Sequence, residues 1–199
     1  MKTLIILNGK CESLSFLKEL SLKVDKVICA DGGYIHAQNA GIVPDIVVGD
    51  FDSCVVPKNI KTVVFPKEKD LNDAEIAINY AIEHYGDDIV LSCALGGRLD
   101  HQMFNLHLLF KYNKVIVEET DVKVIYCDNL VDFNNYIGKS ISFLPYEKAN
   151  ISLEGFKYPL YNADLKIGDT LTLSNIALEN AKLIVNSGKV LAVICKTVI

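Results

Sequence analysis

The stretch DIVVGDFDS, residues 45–53, joins a run of apolar strand-forming residues to two aspartates that are separated by one phenylalanine. Apolar runs without polar alternation are typical of strands buried on both faces, as in a parallel sheet covered by helices. In open α/β sheets, ligands bind at the carboxyl ends of such strands. Side chains two residues apart on an extended chain share a face, so Asp50 and Asp52 can address one cation or two neighbouring ones.

Five more runs of this kind occur in the first part of the chain, with helical patterns between them. They are TLIILNG, KVICADGG, KTVVFP, DIVLSCALGG and NKVIVEE, which begin at residues 3, 26, 61, 88 and 113. The segment 72–86 predicts the clearest helix, with Asn72 as its N-cap and Gly86 at its end. The segment 99–113 also predicts a helix, and its apolar residues on nearly all sides suggest burial within the fold or at a subunit contact.

The pattern changes after about Asp128, where the segments alternate apolar and polar residues. Turn signals at Glu154-Gly155, Gly168-Asp169 and Ser187-Gly188 predict several short strands. We therefore expect an α/β fold in two parts. A mostly parallel, Rossmann-like three-layer domain (1–128) is followed by a small all-β sandwich or barrel (129–199).

Composition argues against several classes of protein. The net charge of −5 gives no broad basic field, which disfavours general binding to nucleic acid or to an anionic membrane. No apolar run approaches the roughly 20 residues that span a bilayer. The six cysteines include no CxxC pair, so neither a zinc site nor a disulfide framework is predicted. Reduced thiols in a cytoplasmic protein are the simplest expectation.

Polar residues follow five of the predicted strands. Any one of these aspartates could be a turn former or a helix N-cap, but together they would repel one another unless a cation offset their charge. Hard oxygen ligands select Mg²⁺ or Mn²⁺. The polar groups are Asn8-Gly9, Asp31-Gly32-Gly33, Asp50 to Ser53, Lys69-Asp70 with Asp73, and Gly96 to His101.

The segment GGRLDH, residues 96–101, has the features of a phosphate site. Its glycines let the backbone approach closely, a helix start supplies N–H groups, and Arg98 offers a forked contact. The chain has neither GxxxxGK[ST] nor GxGxxG, which disfavours a Walker-type NTPase and a standard dinucleotide fold. Lys67 and Lys69 are equally consistent with a solvated loop. The remaining histidines are interpreted as surface or packing residues: His36, His84 and His107.

Three blocks, taken together, closely resemble the thiamine pyrophosphokinase family. They are ADGGYIHAQNAGIVPDIVVGDFDS, FPKEKDLNDAEIAINYA and LGGRLDHQMFN, and weaker similarity continues in GFKYPLYNADLKIGDTLTLSN. The resemblance implies a catalytic domain that binds ATP and Mg²⁺, followed by a β-rich thiamine-binding domain. It also implies a homodimer with active sites between subunits. The implied reaction transfers pyrophosphate from ATP to the hydroxyethyl oxygen of thiamine, giving thiamine diphosphate and AMP.

The resemblance also implies roles for individual residues. The catalytic, metal-site acids would be Asp50, Asp52, Asp73 and Asp100. The ATP and phosphate contacts would be Asn8, Asp31, Gly32, Gly33, Asp70, Gly97, Arg98 and His101. Tyr158 would stack on the aminopyrimidine of thiamine, and Ser174 and Asn175 would contact it. Two positions depart from the family: Asn72 stands where a threonine is usual, and Tyr158 where a tryptophan is often found.

Two alternatives keep the same residues but change the function. The chain could be a related pyrophosphokinase acting on another alcohol, such as a pterin, because metal and phosphate residues do not define the acceptor. It could also be a non-catalytic nucleotide or thiamine sensor. For the transfer itself, either Asp100 or Asp73 could accept the hydroxyl proton.

Overall fold

A computed structural model describes residues 1–50, 55–65 and 70–197 of the chain. These residues form two compact units. The first consists of Met1–Leu108 with Lys114–Thr120, and the second of Leu109–Asn113 with Asp121–Ile199. No helix in the described ranges is long and apolar enough to cross a membrane.

The first unit is built on a parallel sheet of six strands, and all six match the runs predicted from the sequence. The sheet order is β4-β3-β2-β1-β5-β6, with every neighbouring pair parallel. The order reverses between β1 and β5, where open α/β sheets form a crevice for ligands. The strands are β1 (Lys2–Ile6), β2 (Lys26–Ala30), β3 (Ile46–Gly49), β4 (Thr62–Val64), β5 (Asp88–Ser92) and β6 (Val115–Glu118).

Four helices accompany this sheet: α1 (Leu14–Ser21), α2 (Gly33–Asn39), α3 (Asp73–His84) and α4 (Leu99–Lys111). Leu17 of α1 and Tyr34 of α2 pack in one buried cluster with Leu4 of β1. Ile5, which follows Leu4 in β1 and so faces the other side of the sheet, is also fully buried. Helix α3 contacts β1, β2 and β3, and its buried residues are not part of that cluster. Helices therefore cover both faces of the sheet, which explains its unbroken apolar strands.

The local signals at α3 are confirmed. Asn72 Oδ1 accepts a hydrogen bond from the Glu75 N–H at 2.8 Å, and Gly86 follows the helix with φ +112°. The helix predicted at 99–113 is α4, but it is not buried on all sides. Leu108 is buried, whereas Leu99 and Phe104 are exposed in the chain.

Two glycines allow backbone segments to meet at the carboxyl edge of the sheet. A Cβ on Gly33 would lie 2.1 Å from the Ile6 carbonyl oxygen, and one on Gly9 would lie 2.3 Å from the Cys93 carbonyl oxygen. Both distances are far inside van der Waals contact, so only glycine fits. The start of α2 is thereby drawn to the end of β1, and the segment after β1 to the end of β5.

The second unit contains antiparallel strands, and its prediction from sequence was wrong in detail. Gly155 and Gly188 were expected in turns between short strands, but they lie inside two long strands at positive φ, close to shifts in register. The segment 171–174 forms turns rather than a strand. The strands are β7 (Val122–Cys127), β8 (Leu130–Asp132), β9 (Ser140–Phe156), β10 (Leu160–Lys166) and β11 (Asn175–Cys195).

Long-range pairing and aromatic packing hold the second unit together. Ser140 and Ile141 pair with the beginning of β11 at Asn175–Ile176 and also with its end at Ile194–Cys195, so the sheet curls back on itself. Its core contains Phe133, Phe143 and Phe156, whose rings meet edge to face at centroid distances of 5.5 to 6.0 Å. Edge-to-face contact is a favoured arrangement of aromatic pairs.

Candidate active site

A cavity of about 390 Å³ opens in the first unit at the carboxyl ends of β1, β2, β3 and β5. This is the edge at which the sequence analysis placed the site. Seven of the expected site residues line the cavity: Asn8, Asp31, Asp50, Asp73, Gly97, Arg98 and His101.

Three carboxylates line this one cavity. Asp31 follows β2 and is 7% exposed, while Asp50 follows β3 and Asp73 begins α3, both partly buried. No three acidic, histidine or cysteine side chains in the described ranges converge on a single metal position. Mg²⁺ needs only one or two protein carboxylates besides phosphate oxygens and water, so these acids fit that ion. Asp52, the neighbouring predicted ligand, and Lys67 and Lys69 lie outside the described residues.

Arg98 and Asp100 form a forked ion pair at the start of α4. Arg98 Nη2 lies 2.6 Å from Asp100 Oδ2, and Nε lies 3.2 Å from Oδ1. Hydrogen bonding from Arg98 lowers the pKa of Asp100 to about 2, and the N–H of His101, 3.0 Å from Oδ1, acts in the same direction. Arg98 lines the cavity but Asp100 does not. A phosphate group that engaged the Arg98 fork would compete with the Asp100 carboxylate.

Three other expected residues do not line the cavity. Asp70 is exposed. Gly32 and Gly33 instead support the residues around the cavity. A Cβ on Gly32 would lie 2.4 Å from Asn8 Nδ2, so the Asn8 side chain packs directly against this glycine.

Sequence reasoning missed several polar residues at the site. Gln102 Nε2 donates to the Gly97 carbonyl at 2.9 Å, and the buried Asn105 Nδ2 donates to the Ala94 carbonyl at 2.8 Å. Both line the cavity, as does the helix cap Asn72. A signal was present, because positions 98, 101, 102 and 105 follow the spacing of one helix face.

His36 was another missed contact. It was predicted to be only a surface or packing residue, but His36 Nε2 donates to the Gly9 carbonyl oxygen at 2.8 Å. His36 lies on α2, and Gly9 lines the cavity. The imidazole therefore helps to hold the loop that follows β1.

The residues expected to contact thiamine lie together in the second unit. Asn175 is buried, and its amide accepts from the Tyr158 N–H at 3.0 Å and donates to the Tyr158 carbonyl at 2.7 Å. Tyr158 is thus held by its backbone, while the residue as a whole is 57% exposed. Ser174 is exposed at φ +55°, and its N–H donates to Ser142 Oγ at 2.9 Å.

Comparison with known proteins explains why these two groups of residues occur in one chain. The family model described as "Thiamin pyrophosphokinase, catalytic domain" matches residues 17–124. The chain belongs to the thiamine pyrophosphokinase family. A second model of this family, described as the "vitamin B1 binding domain", matches residues 128–190. The resemblance found in the three sequence blocks is confirmed.

Relatives of the family match along most of the chain. The thiamine pyrophosphokinase of Bacillus subtilis is 31% identical over 88% of this chain and 89% of its own length. A crystal structure of thiamine pyrophosphokinase from Bacillus subtilis has a TM-score of 0.83 at 25% identity, covering 99% of this chain and all of the other. The structure from Geobacillus thermodenitrificans has a TM-score of 0.80 at 26% identity, covering 99% and 98% of the two chains.

Proposed function

We propose that the chain is a thiamine diphosphokinase that transfers pyrophosphate from ATP to thiamine, giving thiamine diphosphate and AMP. The observation that carries this proposal is the cavity in the first unit. There, three carboxylates and Arg98 share one opening within the matched catalytic region. This combination suits a metal–polyphosphate group better than a neutral ligand.

The chain's own residues would bind and orient the nucleotide. Arg98 would use its forked N–H donors on phosphate oxygens, with Asn8, Gly97 and His101 around the same polyphosphate. Phosphoryl transfer depends mostly on such positioning and on neutralising charge on the phosphate oxygens. The attacking thiamine hydroxyl and the departing AMP would lie in line through the β-phosphorus.

Mg²⁺ would be held by Asp50 and Asp73, with Asp52 and Asp100 as the further acids of the proposed ligand set. When bound, the ion neutralises charge on the phosphate oxygens. Asp31, a buried residue that lines the cavity, would contact the nucleotide at the end of β2, and Asp70 would lie beside the phosphates.

Asp73 is the better of the two candidates for accepting the hydroxyl proton. It lines the cavity, where a substrate hydroxyl could reach it, whereas Asp100 does not line the cavity. A general base needs an oxygen within hydrogen-bond reach of the substrate proton. Asp100 would therefore act mainly by orienting Arg98 until phosphate displaces it.

The second part of the chain would supply the thiamine contacts. Tyr158 would stack on the aminopyrimidine, with Ser174 and Asn175 beside it, because Asn175 fixes Tyr158 while leaving it exposed. We place the functional boundary at 128/129, between a Rossmann-like catalytic domain and a barrel-like β domain. The reversal of strand order and the doubly paired Ser140–Ile141 support these two descriptions.

We further propose a cytoplasmic homodimer with its active sites between subunits. Large apolar side chains are exposed on α4 at Leu99 and Phe104, and in the second unit at Leu171 and Leu173. Burial of such groups against a second copy would stabilise a dimer. The five cysteines in the described ranges are free thiols, which suits a reducing compartment.

One assay tests the proposed reaction. The purified chain is incubated with ATP, Mg²⁺ and thiamine, and the products are separated by chromatography. AMP with thiamine diphosphate supports the proposal, and ADP would indicate simple kinase chemistry instead. Asp50→Asn should lower turnover by about 100-fold or more, since a charged group at the reacting phosphates is lost. Asp88→Asn, which removes an exposed carboxylate at the opposite end of β5, should retain turnover.

The same assay distinguishes the alternatives. Transfer to a pterin alcohol but not to thiamine would identify a different acceptor. Binding of ATP and thiamine without any product would identify a sensor. Thiamine binding measured by calorimetry in wild type and in Tyr158→Ala tests the role of the second unit separately from turnover.

A further inference from the structure

The backbone just after β5 is held in an unusual conformation beside the cavity. Cys93, the first residue beyond the strand, has φ +54°, in the left-handed region that non-glycine residues rarely adopt. Such a conformation costs about 1 kcal/mol or more and persists only where neighbouring groups fix it. Ala94, the next residue, lines the cavity.

The carbonyl groups of the segment 92–95 hold the loop after β1. Asn8 and Gly9 of that loop line the cavity. The position of 92–95 therefore sets the position of these two lining residues. Three hydrogen bonds make the connection: Leu7 N–H to Ser92 O at 2.9 Å, Gly9 N–H to Cys93 O at 2.7 Å, and Lys10 N–H to Leu95 O at 2.8 Å.

The donor groups of the same segment are held by one side chain, Glu119. Glu119 Oε1 accepts from the Ala94 N–H at 2.7 Å, and Oε2 accepts from the Cys93 N–H at 3.1 Å and from Ser92 Oγ at 3.3 Å. Glu119 follows β6, two residues beyond Val117, which pairs with Leu91 of β5. The parallel register therefore places the carboxylate beside Cys93.

The peptide held by Glu119 also positions the helix side of the cavity. The carbonyl of Ala94 accepts from Nδ2 of Asn105, which is buried and lines the cavity from α4. One rigid segment thus connects the loop after β1 to α4. Glu119 itself does not line the cavity.

We propose that Glu119 is a positioning residue for this active site. Its carboxylate fixes the segment 92–95, and through that segment Asn8, Gly9 and Asn105, in the arrangement that receives the polyphosphate of ATP. This inference rests on the proposed function of the cavity. The Cys93 and Ala94 N–H groups already donate to Glu119. Phosphate would therefore be bound by residues further along the chain, such as Arg98.

The buried environment of Glu119 also changes its pKa. Burial raises the pKa of Glu119 to about 7, although N–H groups of Ala94, Cys93 and Leu95 lower it. Among its titratable neighbours are the Cys93 thiol just after β5, whose pKa burial raises, the Cys11 thiol that contacts Cys93, and Glu118 on β6. The ionised carboxylate can accept hydrogen bonds from the Cys93 and Ala94 N–H groups and from the Ser92 hydroxyl. The protonated carboxyl group carries an O–H donor, which cannot accept a hydrogen bond from these groups.

The test replaces Glu119 by Gln in the full-length chain, with Glu118→Gln as the matched control. Gln keeps the size of the side chain but leaves one N–H group facing an amide NH₂. We expect Glu119→Gln to lower kcat/KM for ATP by about 10- to 100-fold, since small misplacement of binding groups is costly in rate. Glu119→Asp, which keeps the charge, should recover part of the loss. Glu118→Gln should stay within about twofold of wild type, as expected for a carboxylate without this role.

Stability and activity should respond to pH in opposite directions. A pKa raised on folding means that ionised Glu119 opposes folding, so wild type should lose stability relative to Glu119→Gln as the pH rises from about 5 to 8. The activity of wild type relative to this variant should rise over the same range. A purely structural role would move stability alone, so equal kcat/KM values per folded enzyme, or parallel pH profiles, would overturn the inference.

Calorimetry with a non-hydrolysable ATP analogue separates this inference from the proposed reaction. If wild type binds the analogue and does not modify thiamine, weaker binding by Glu119→Gln still supports the positioning role. Equal binding by both proteins contradicts it. If wild type neither binds the analogue nor reacts, both proposals are wrong.

Discussion

At the scale of single residues, the candidate site is built on backbone conformations that cost free energy. Asp31 after β2 and Cys93 after β5 both have positive φ, at 44° and 54°. Each is fixed by its neighbours: the Asp31 N–H donates to the Val48 carbonyl, and Glu119 holds the Cys93 N–H. The strand ends that border the cavity are therefore rigid, as positioning of phosphates requires.

The Arg98–Asp100 pair gives a prediction for a single carboxyl group. Because the folded pKa of Asp100 is lowered to about 2, its stabilising contribution is present above the ordinary pKa and disappears as the pH falls toward 2. NMR titration without Mg²⁺ should place its midpoint near this value. In Arg98→Ala the midpoint should rise toward about 3.9, the value of an unperturbed aspartate.

Lys10→Ala is the control for this titration, because it removes a different exposed ion pair, Lys10–Glu12. The Asp100 midpoint should not change in that variant. An unchanged midpoint in Arg98→Ala would instead show that the forked pair does not form in solution.

Residue types at strand ends predicted much of the site, but the side chains that support it were harder to find. Asp31, Asp50, Asp73 and Arg98 were expected at the cavity because carboxylates and an arginine gathered near several strand ends are informative as a group, although none of them is informative alone. Glu119, His36 and Asn105 were not, because their roles depend on backbone groups distant in sequence. Sequence patterns carry no information about which distant carbonyl or N–H group a side chain will meet.

At the scale of elements, hydrogen bonds at helix starts define where α1 and α3 begin. Ser13 Oγ accepts from the Phe16 N–H at 3.2 Å, and Asn72 Oδ1 accepts from the Glu75 N–H at 2.8 Å. Both caps satisfy an N–H group that has no partner inside the helix. The cap of α3 also lines the cavity, so one residue serves the helix and the site.

Removal of the α3 cap should have a measurable cost. Asn72→Ala should lower the free energy of unfolding by about 1 kcal/mol, whereas Asn72→Ser and Asn72→Asp should lose less than half as much. Urea denaturation without nucleotide measures the effect apart from ligand binding. Ser13→Ala, at the other capped helix, should show a similar loss. A loss in Asn72→Ser as large as that in Asn72→Ala would assign the effect to packing instead of capping.

The first six strands were predictable because each is short, rich in apolar residues and bounded by polar residues, as is typical of a parallel sheet covered by helices, even though β4 at the sheet edge is largely exposed. The long strands β9 and β11 were not, since Gly155 and Gly188 look like turn residues. In the structure they accommodate bends at shifts of register. Continuous pairing with a distant partner overrides the local turn signal, as is common in sheets.

At the scale of the whole molecule, apolar side chains remain exposed in both units. Phe104 on α4 is 65% exposed, and Leu173 in the second unit is also exposed. Large exposed apolar groups are typical of surfaces that meet another protein. The proposed homodimer would cover at least one of these two places.

Sedimentation velocity tests the dimer. Wild type should sediment as two chains, and Phe104→Glu or Leu173→Glu should yield single chains, because a buried unpaired charge is costly. The substitution that separates the chains identifies the surface. Val43→Glu, at an exposed valine between α2 and β3, should leave the dimer intact. A wild-type protein that sediments as one chain at every concentration would contradict the proposed assembly.

The chain passes between its two compact units more than once. It leaves the first unit at Leu109, returns for Lys114–Thr120 and leaves again at Asp121. During synthesis the first sheet therefore cannot be completed until β6 and Glu119 have emerged, after residues of the second unit have already been made. For the same reason, no single cut yields two fragments that each contain one whole unit. Truncation before Lys114 would remove β6 and, with it, the carboxylate of Glu119 that holds the end of β5.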